Sequence, residues 1–256
     1  MTNTTILQTP EAIGTLVAAD MLRGLASAEG RPYVIGFPAG RTANPVVDAL
    51  VRQAHDQHAD LSRLYIVMMD DYVQPDGNGY RRIDEHLAHS CLGWAIRGLA
   101  KPLADLGYTR DHLLAPDPAD PGSLPRKVAD LGGVDLFVVA SGQSDGHVAL
   151  NGPGTPVDAH ARIVPLSETT RTDNLSTFPH LRSLDDVPTH GVTLGPADFT
   201  DLCHSVAMLL WGTHKTEAFE RITSTDDYAP QWPATIIHRC KDPRIIADAA
   251  AAGTTA

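Results

Sequence analysis

The segment YVIGFPAGRTANPVVDALV (residues 33–51) decides the fold class, because it passes from a buried strand directly into a helix. Tyr33–Phe37 is a short apolar run with β-branched residues, followed by a proline and a glycine, a pattern typical of a buried strand. Asn44-Pro45 provides an N-cap residue and then proline at the first helical position. Apolar residues recur at helical spacing from there to about Gln57. The segment therefore predicts one β–α unit.

The same alternation continues along the chain. Further strands are predicted over Leu64–Met69, Val134–Ala140, Arg162–Pro165, Gly191–Leu194, Ser205–Trp211 and Arg244–Ala247. Further helices are predicted over Tyr80–Cys91 and from about Thr213. Apolar strands that alternate with amphipathic helices are typical of parallel sheets covered on both faces. The prediction is an α/β fold, a Rossmann-like three-layer sandwich with a mainly parallel sheet, in one domain over residues 1–248 with a flexible tail over 249–256.

Composition excludes several classes of protein. The 256 residues carry 20 Lys and Arg against 31 Asp and Glu, a net charge of −11. This acidity argues against partners that are nucleic acids or anionic membranes. Cys91, Cys203 and Cys240 form no CxxC pair, so neither a disulfide framework nor a zinc site is expected. Together with an N-terminus unlike a signal peptide, this predicts a cytoplasmic protein.

The turn after the first predicted strand is a candidate anion site. Ligands of parallel sheets bind beyond the carboxyl ends of the strands. Gly40, Arg41 and Thr42 lie between such an end and a helix start, where free backbone N–H groups and the helix dipole favour an anion. The alternative is a tight turn that carries a surface arginine.

Two later strand ends carry groups suited to proton transfer. Asp70 and Asp71 follow the second strand and offer a general base with a second polar partner, or else a turn and a helix cap. In the loop SGQSDGHVALNGPG (residues 141–154), Asp145 and His147 flank a glycine. Histidine titrates near neutrality and suits proton shuttling, although a lone histidine is often structural.

Lys215 is the last candidate at a strand end. It lies in the first turn of a predicted helix, where a cation opposes the helix dipole and a bound anion would offset that cost. A solvated lysine is the alternative. The histidines show no spacing typical of metal ligands, so no metal is predicted.

Taken in order, these segments resemble the glucosamine-6-phosphate deaminase family, within a wider group that contains 6-phosphogluconolactonases. The resemblance runs from about Ala12 to Asp248. Its motifs are Pro-x-Gly-x-Thr (Pro38–Thr42), Met-Asp-Asp-Tyr (Met69–Tyr72), Asp-Gly-His-x-Ala-x-Asn-x-Pro (Asp145–Pro153) and Gly-x-x-Lys (Gly212–Lys215). The second motif favours the deaminases, because lactonases typically carry Asp-Glu-Arg at that place.

The resemblance implies an aldose–ketose isomerisation with loss of ammonia on a phosphorylated amino sugar, without a cofactor. Asp70 would be the base that moves a proton between C2 and C1, His147 would assist ring opening, and Asp145 would orient the imidazole. The residues assigned to the substrate and its phosphate are Gly40, Arg41, Thr42, Asp71, Gly146 and Lys215. A homo-oligomer stays open, because the family includes monomers and hexamers.

The chain departs from the family at two positions that bear on the substrate. Gly152 stands where deaminases place the glutamate that partners the histidine, and Ser176 stands where they carry a phosphate-binding arginine. Arg41, a glycine in many relatives, can replace the missing charge. These departures predict a slower deaminase or, preferably, a different sugar or sugar phosphate. The alternatives are a sugar lactonase, a hydrolase in which His147 activates water, and a non-catalytic sugar-phosphate sensor.

Overall fold

The computed structural model describes residues 2–178 and 180–254. Its strands are β1 (Asn3–Leu7), β2 (Tyr33–Phe37), β3 (Leu64–Met68), β4 (Asp70–Asp76), β5 (Gly79–Arg82), β6 (Leu113–Leu114), β7 (Leu136–Ala140), β8 (Arg162–Pro165), β9 (His190–Thr193), β10 (Val206–Leu210) and β11 (Pro243–Asp248). Its α-helices are α1 (Pro10–Ala26), α2 (Asn44–Asp56), α3 (Cys91–Ala95), α4 (Ser123–Asp130), α5 (Glu168–Thr177), α6 (Pro196–Leu202) and α7 (Thr216–Thr223).

Seven strands form the central sheet, in the order β1-β11-β10-β7-β2-β3-β6, and every neighbouring pair is parallel. Successive strand residues point to opposite faces, so each buried strand contributes to two cores. Leu136 and Val138 of β7 pack with α1, α2 and α3, whereas Phe137 and Val139 pack with α4, α6 and α7. The predicted α/β class, with a parallel sheet and helices on both faces, is confirmed.

A second sheet was not predicted from the sequence. It is antiparallel, in the order β5-β4-β9-β8. The predicted helix over Tyr80–Cys91 is wrong, because its first residues form β5, which pairs with β4 as a hairpin. Asp76 pairs with Gly79 across a two-residue loop, in which Gly77 has φ +59°. Such a turn needs glycine and closes a hairpin, which overrides the weak helical pattern.

The helix after β2 begins differently from the prediction. A 3₁₀ turn over Arg41–Ala43 precedes α2, and Ala43 rather than Asn44 occupies the N-cap position. The side-chain oxygen of Asn44 instead accepts a hydrogen bond from Trp94 Nε1 at 3.2 Å. The 3₁₀ turn therefore places Arg41 and Thr42 directly at the end of β2, beside the cavity described below.

The two ends of the described chain lie together at the edge of the central sheet. β1 and α1 had no counterpart in the sequence prediction, and β1 is the edge strand next to β11. After β11, the Ala249 N–H donates to Leu7 O at 2.9 Å, and Ala251 is fully buried. None of the helices in residues 2–178 and 180–254 combines the length and apolar character needed to cross a membrane.

Candidate active site

The carboxyl ends of β2, β3, β7 and β10 meet around a cavity of about 120 Å³. Parallel neighbours direct these ends to one edge of the sheet, where ligands of such sheets bind. The predicted site residues that line the cavity are Arg41, Thr42, Asp70, His147 and Lys215. Three residues of α5 also line the cavity: Asp173, Asn174 and Thr177. The cavity therefore unites four strand ends that are far apart in sequence.

Asp70 is the buried carboxyl group of the cavity wall. It is the first residue of β4, where the chain leaves the parallel sheet for the second sheet, and its exposed fraction is 7%. Burial, together with the charge of Asp71, raises its pKa to about 7, although Cys91 and His147 partly oppose the rise. A carboxylate whose pKa lies near neutrality can accept and return a proton at physiological pH.

Asp71 points the opposite way, as expected for adjacent strand residues. Its fully buried carboxylate accepts hydrogen bonds from the backbone N–H groups of Tyr72, Cys91 and Leu92 at 2.8, 2.9 and 3.0 Å. Arg82 Nε lies 3.7 Å away. The structure thus places Asp71 at the N-terminus of α3, outside the cavity. This position matches the helix-cap alternative rather than a contact with substrate.

Removing the Asp71 carboxylate should affect stability rather than chemistry. We expect Asp71→Ala to lower the free energy of unfolding by about 3 kcal/mol, because three buried N–H donors lose their acceptor. Asp71→Asn keeps one acceptor oxygen and should lose less. Urea unfolding of both variants measures the effect. An Asp71 variant with full stability and greatly reduced activity would instead indicate that Asp71 contacts the substrate.

His147 and Asp145 form a tight pair after β7. His147 Nδ1 lies 2.6 Å from Asp145 Oδ1, and Thr170 Oγ1 donates to Asp145 Oδ2 at 2.7 Å. Burial opposes ionisation of Asp145, but the hydrogen bonds from His147 and Thr170 outweigh it and hold the pKa of the carboxyl well below its usual range. Asp145 is behind the imidazole and does not line the cavity. The pair therefore leaves Nε2 as the ring nitrogen available to a substrate.

Two glycines make this loop possible. A Cβ on Gly142 would lie 2.3 Å from His147 Nδ1 and 2.5 Å from Asp145 Oδ1. Gly146 has φ +64°, and a Cβ there would lie 2.2 Å from the Trp232 ring. Gly146, which the sequence placed among the substrate-binding residues, is outside the cavity. The observed geometry gives it a backbone role, because only glycine fits this conformation and space.

The cationic end of the cavity contains Lys215 and Arg41. Lys215 is 7% exposed and its Nζ donates to Ser141 O at 2.6 Å. Burial lowers the pKa of Lys215 to about 8, which the charge of Asp173 opposes and that of Arg41 reinforces. Arg41 is exposed at the rim. Gly40 has φ +105° and lies behind the wall, where a Cβ would meet Thr177 Cγ2 at 3.1 Å.

Of the two departures noted in the sequence, Gly152 is not among the described residues that line the cavity. A Cβ on Gly152 would meet no atom within 4 Å among the described residues, so no side chain occupies the space it faces. The side chain of Ser176 lies outside the described part of the structure. Gly152 supplies no carboxylate and Ser176 supplies no guanidinium, although the resemblance implies these groups at the two positions.

Asp173 is a charged residue of the cavity wall that sequence reasoning missed. Its Oδ2 accepts from the N–H groups of Gln143 and Ser144 at 3.1 and 3.2 Å, and its Oδ1 accepts from Ser144 Oγ at 2.8 Å. Single side-chain atoms of Asp145, His147 and Asp173 lie within 4.8 Å of one another and could hold a cation. Both carboxylates already accept hydrogen bonds within the protein. No local pattern marks Asp173, because its partners are 29 and 30 residues away.

Comparison with known proteins finds sequence relatives among the glucosamine-6-phosphate deaminases. The chain is 28% identical to a glucosamine-6-phosphate deaminase of Shouchella clausii over 225 residues, 85% of this chain and 84% of the relative. It is also 28% identical to the deaminase of Mycolicibacterium smegmatis over 250 residues, 96% and 90% of the two chains. No family model matches the chain.

Solved structures give the same result for the fold. The chain superposes on a monomeric glucosamine-6-phosphate deaminase of the NagB superfamily with a TM-score of 0.86 and 20% identity, over 99% of this chain and 100% of that one. It superposes on 6-phosphogluconolactonase from Trypanosoma brucei with a TM-score of 0.70 and 18% identity, over 100% and 99%. At these identities the structural likeness establishes the fold alone.

Proposed function

The chain belongs to the NagB superfamily of glucosamine-6-phosphate deaminases and 6-phosphogluconolactonases, and we propose that it is an aldose–ketose isomerase or deaminase of a phosphorylated (amino) sugar such as glucosamine 6-phosphate. The observation that carries the proposal is Asp70. This carboxyl group lines the cavity together with His147, and its pKa is about 7. Hydrolysis of a lactone does not require such a base, whereas proton transfer between two carbons requires one.

The chemistry begins with opening of the sugar ring. His147, held by Asp145 through Nδ1, presents Nε2 to the ring oxygen and supplies a proton to it. Asp70 then removes the proton from C2 and returns it to C1, while O1 gains a proton and the hydroxyl or amine at C2 loses one. The aldose becomes its isomer with no net oxidation or reduction. When C2 carries an amine, this transfer leaves an imine at C2. Water adds to the imine, and ammonia leaves with the ketose as the second product.

The barrier of this reaction lies in the weak acidity of the C2 proton. Ring opening creates an aldehyde at C1, which makes that proton more acidic. Asp70 must also be held close to C2 and be ionised, because a fixed base gains both from orientation and from a matched pKa. The fixed backbone of β4, paired with β9 at Asp70 and Thr193, provides that rigidity.

The pKa values of Asp70 and Lys215 predict the pH dependence. Activity requires ionised Asp70, so kcat/KM should rise with pH until it passes about 7. Recognition of phosphate requires protonated Lys215, so kcat/KM for a phosphorylated sugar should fall above about 8. Assays from about pH 5.5 to about pH 9.5 would test this bell shape. A flat profile through pH 7 would contradict Asp70 as the base.

The direct test is a substrate panel. Purified protein should be incubated with glucosamine 6-phosphate and with aldose phosphates that lack the amine, while ammonia and ketose are measured separately. Ketose formation in wild type that is lost in Asp70→Asn supports the proposal. Undiminished turnover in that variant, or no turnover of any sugar, rejects it. Thermal stabilisation by the same sugars without turnover would favour a sensor instead.

A sugar lactonase is the second candidate, and Gly152 favours it. Within the part of the chain that the structure describes, Asp145 is the one carboxylate within 4.0 Å of a His147 ring nitrogen. One such partner is sufficient to activate water against a lactone carbonyl. Hydrolysis of 6-phosphogluconolactone should then survive Asp70→Asn but not His147→Ala. The isomerase requires both side chains, so the two variants separate the candidates.

A further inference from the structure

Asp173 brings an internal negative charge into the cavity. It projects from α5 into the wall shared with Arg41 and Lys215. Its carboxylate accepts three hydrogen bonds, from the backbone N–H groups of Gln143 and Ser144 and from the Ser144 hydroxyl. Adjacent backbone N–H groups in a turn are a common site for anions. In this protein the carboxylate of Asp173 accepts from these N–H groups in place of an external anion.

The charge of Asp173 acts on the cationic end of the cavity. Burial has the largest effect on the pKa of Lys215, and Asp173 is the strongest of the charges that raise it again. Among the residues that the structure describes, neither Lys215 nor Arg41 has a carboxylate oxygen within 4.0 Å. Asp173 therefore compensates the charge of Lys215 through space, without a close ion pair between the two side chains.

This compensation bears on the group that a sugar presents to Lys215. A phosphate dianion gains from the cations but is repelled by the carboxylate of Asp173 in the same cavity. A hydroxyl group carries no charge, and it can accept from an ammonium group while it donates to a carboxylate. The combination of Lys215 with Asp173 therefore matches a hydroxyl better than Lys215 alone would.

We infer that Asp173 is a specificity-determining residue, which weakens recognition of a phosphate dianion beside Lys215 and favours sugars that carry a hydroxyl group there. The inference rests on the proposed function in that it concerns the substrate of the same cavity. Asp173 should reduce the ratio of kcat/KM for a phosphorylated sugar over that for the corresponding free sugar. The inference also gives a physical reason for a chain in which serine replaces the expected phosphate-binding arginine at position 176.

The test compares glucosamine 6-phosphate with glucosamine in wild type and in Asp173→Asn. Asparagine has the same shape, and its oxygen can still accept from the Gln143 and Ser144 N–H groups. We expect the ratio of kcat/KM for the phosphorylated over the free sugar to rise about tenfold in the variant, since one repulsive charge is removed. A ratio that stays constant or falls overturns the inference.

Two further variants exclude a general effect of charge or of loop damage. Asp130→Asn, at the exposed end of α4, changes the net charge equally but lies outside the cavity; its ratio should match wild type. Asp173→Ser also removes the charge, with a different shape, and should raise the ratio in the same direction. If only one of the two Asp173 variants raised the ratio, the effect would be one of shape and the inference would fail.

Binding of inorganic phosphate tests the inference independently of any turnover. Calorimetry at neutral pH, where Lys215 is mostly protonated, should give a Kd about tenfold lower for Asp173→Asn than for wild type. In a Lys215→Met background the gain in phosphate affinity from Asp173→Asn should be smaller, because Asp173 then no longer weakens an attraction between Lys215 and the phosphate. Equal phosphate affinity in wild type and Asp173→Asn rejects the inference even if sugars are isomerised. Tighter binding without any isomerisation rejects only the proposed function.

Discussion

Asp70→Asn should lower kcat for ketose formation by about 10²–10⁴, because an amide cannot accept the C2 proton. The change is nearly isosteric, and the position is only 7% exposed, so the cavity should keep its shape. KM should change little, since the loss concerns a proton transfer that occurs after binding. Steady-state kinetics with separate measurement of ammonia and ketose provide the result.

Stability measurements distinguish this loss from unfolding. The pKa of Asp70 is about 7 in the folded protein, above the 3.8 of an ordinary aspartate. Its ionised form is therefore disfavoured by folding, and this cost to wild type accumulates as pH rises from about 4 to about 7. Asp70→Asn avoids that cost, so it should become more stable relative to wild type over this range. An inactive variant that is also less stable would point to misfolding.

The control lies on the same strand. Asp76 is an exposed aspartate of β4 whose carboxylate is 4.0 Å from Arg81 Nε. Asp76→Asn makes the same chemical change outside the cavity, and its kcat should match that of wild type. Comparable losses in both variants would show that kcat responds to the charge of the strand rather than to a base at Asp70.

His147→Ala should lower kcat by a similar factor, about 10²–10⁴, if the imidazole transfers a proton during ring opening. The substitution removes Nε2 from the cavity and leaves Asp145 ionised without its partner. It should also reduce stability, because the buried carboxylate loses its shortest hydrogen bond. Kinetics at substrate saturation and urea unfolding would measure the two effects.

An exposed histidine provides the comparison for His147. His86 lies outside the cavity, so His86→Ala should leave kcat unchanged. The milder variant Asp145→Asn keeps a side chain beside Nδ1 but removes the negative charge that contacts it. Its kcat should lie between those of wild type and His147→Ala. Wild-type kcat in His147→Ala would assign ring opening to another group.

Much of the site was predictable because it depends on local sequence and one general rule. Buried apolar runs identified β2, β3, β7 and β10, and parallel strands direct their carboxyl ends to a single edge. Residues that directly follow those strands were therefore expected to meet. The structure brings together Asp70, His147, Thr42 and Lys215 in this way.

Other features were not predictable because they depend on direction or on distant partners. Asp70 and Asp71 are adjacent and chemically identical, yet one lines the cavity and the other binds the N-terminus of α3. The pairing of β4 with β9 fixes which of the two faces the cavity. The hairpin of β4 and β5 was missed because a glycine turn prevailed over an apparent helical pattern.

By itself, the sequence determined the α/β class and the strand ends that carry the chemistry, because hydrophobic periodicity and turn residues are local properties. Only the tertiary structure decided the charge balance of the cavity. Asp173 enters it from α5, where the sequence drew attention to Ser176 but not to Asp173, and its partners lie 29 and 30 residues earlier in the chain. Electrostatic interactions depend on distance in space and on burial rather than on separation in sequence, so the contribution of Asp173 became visible only in the folded protein.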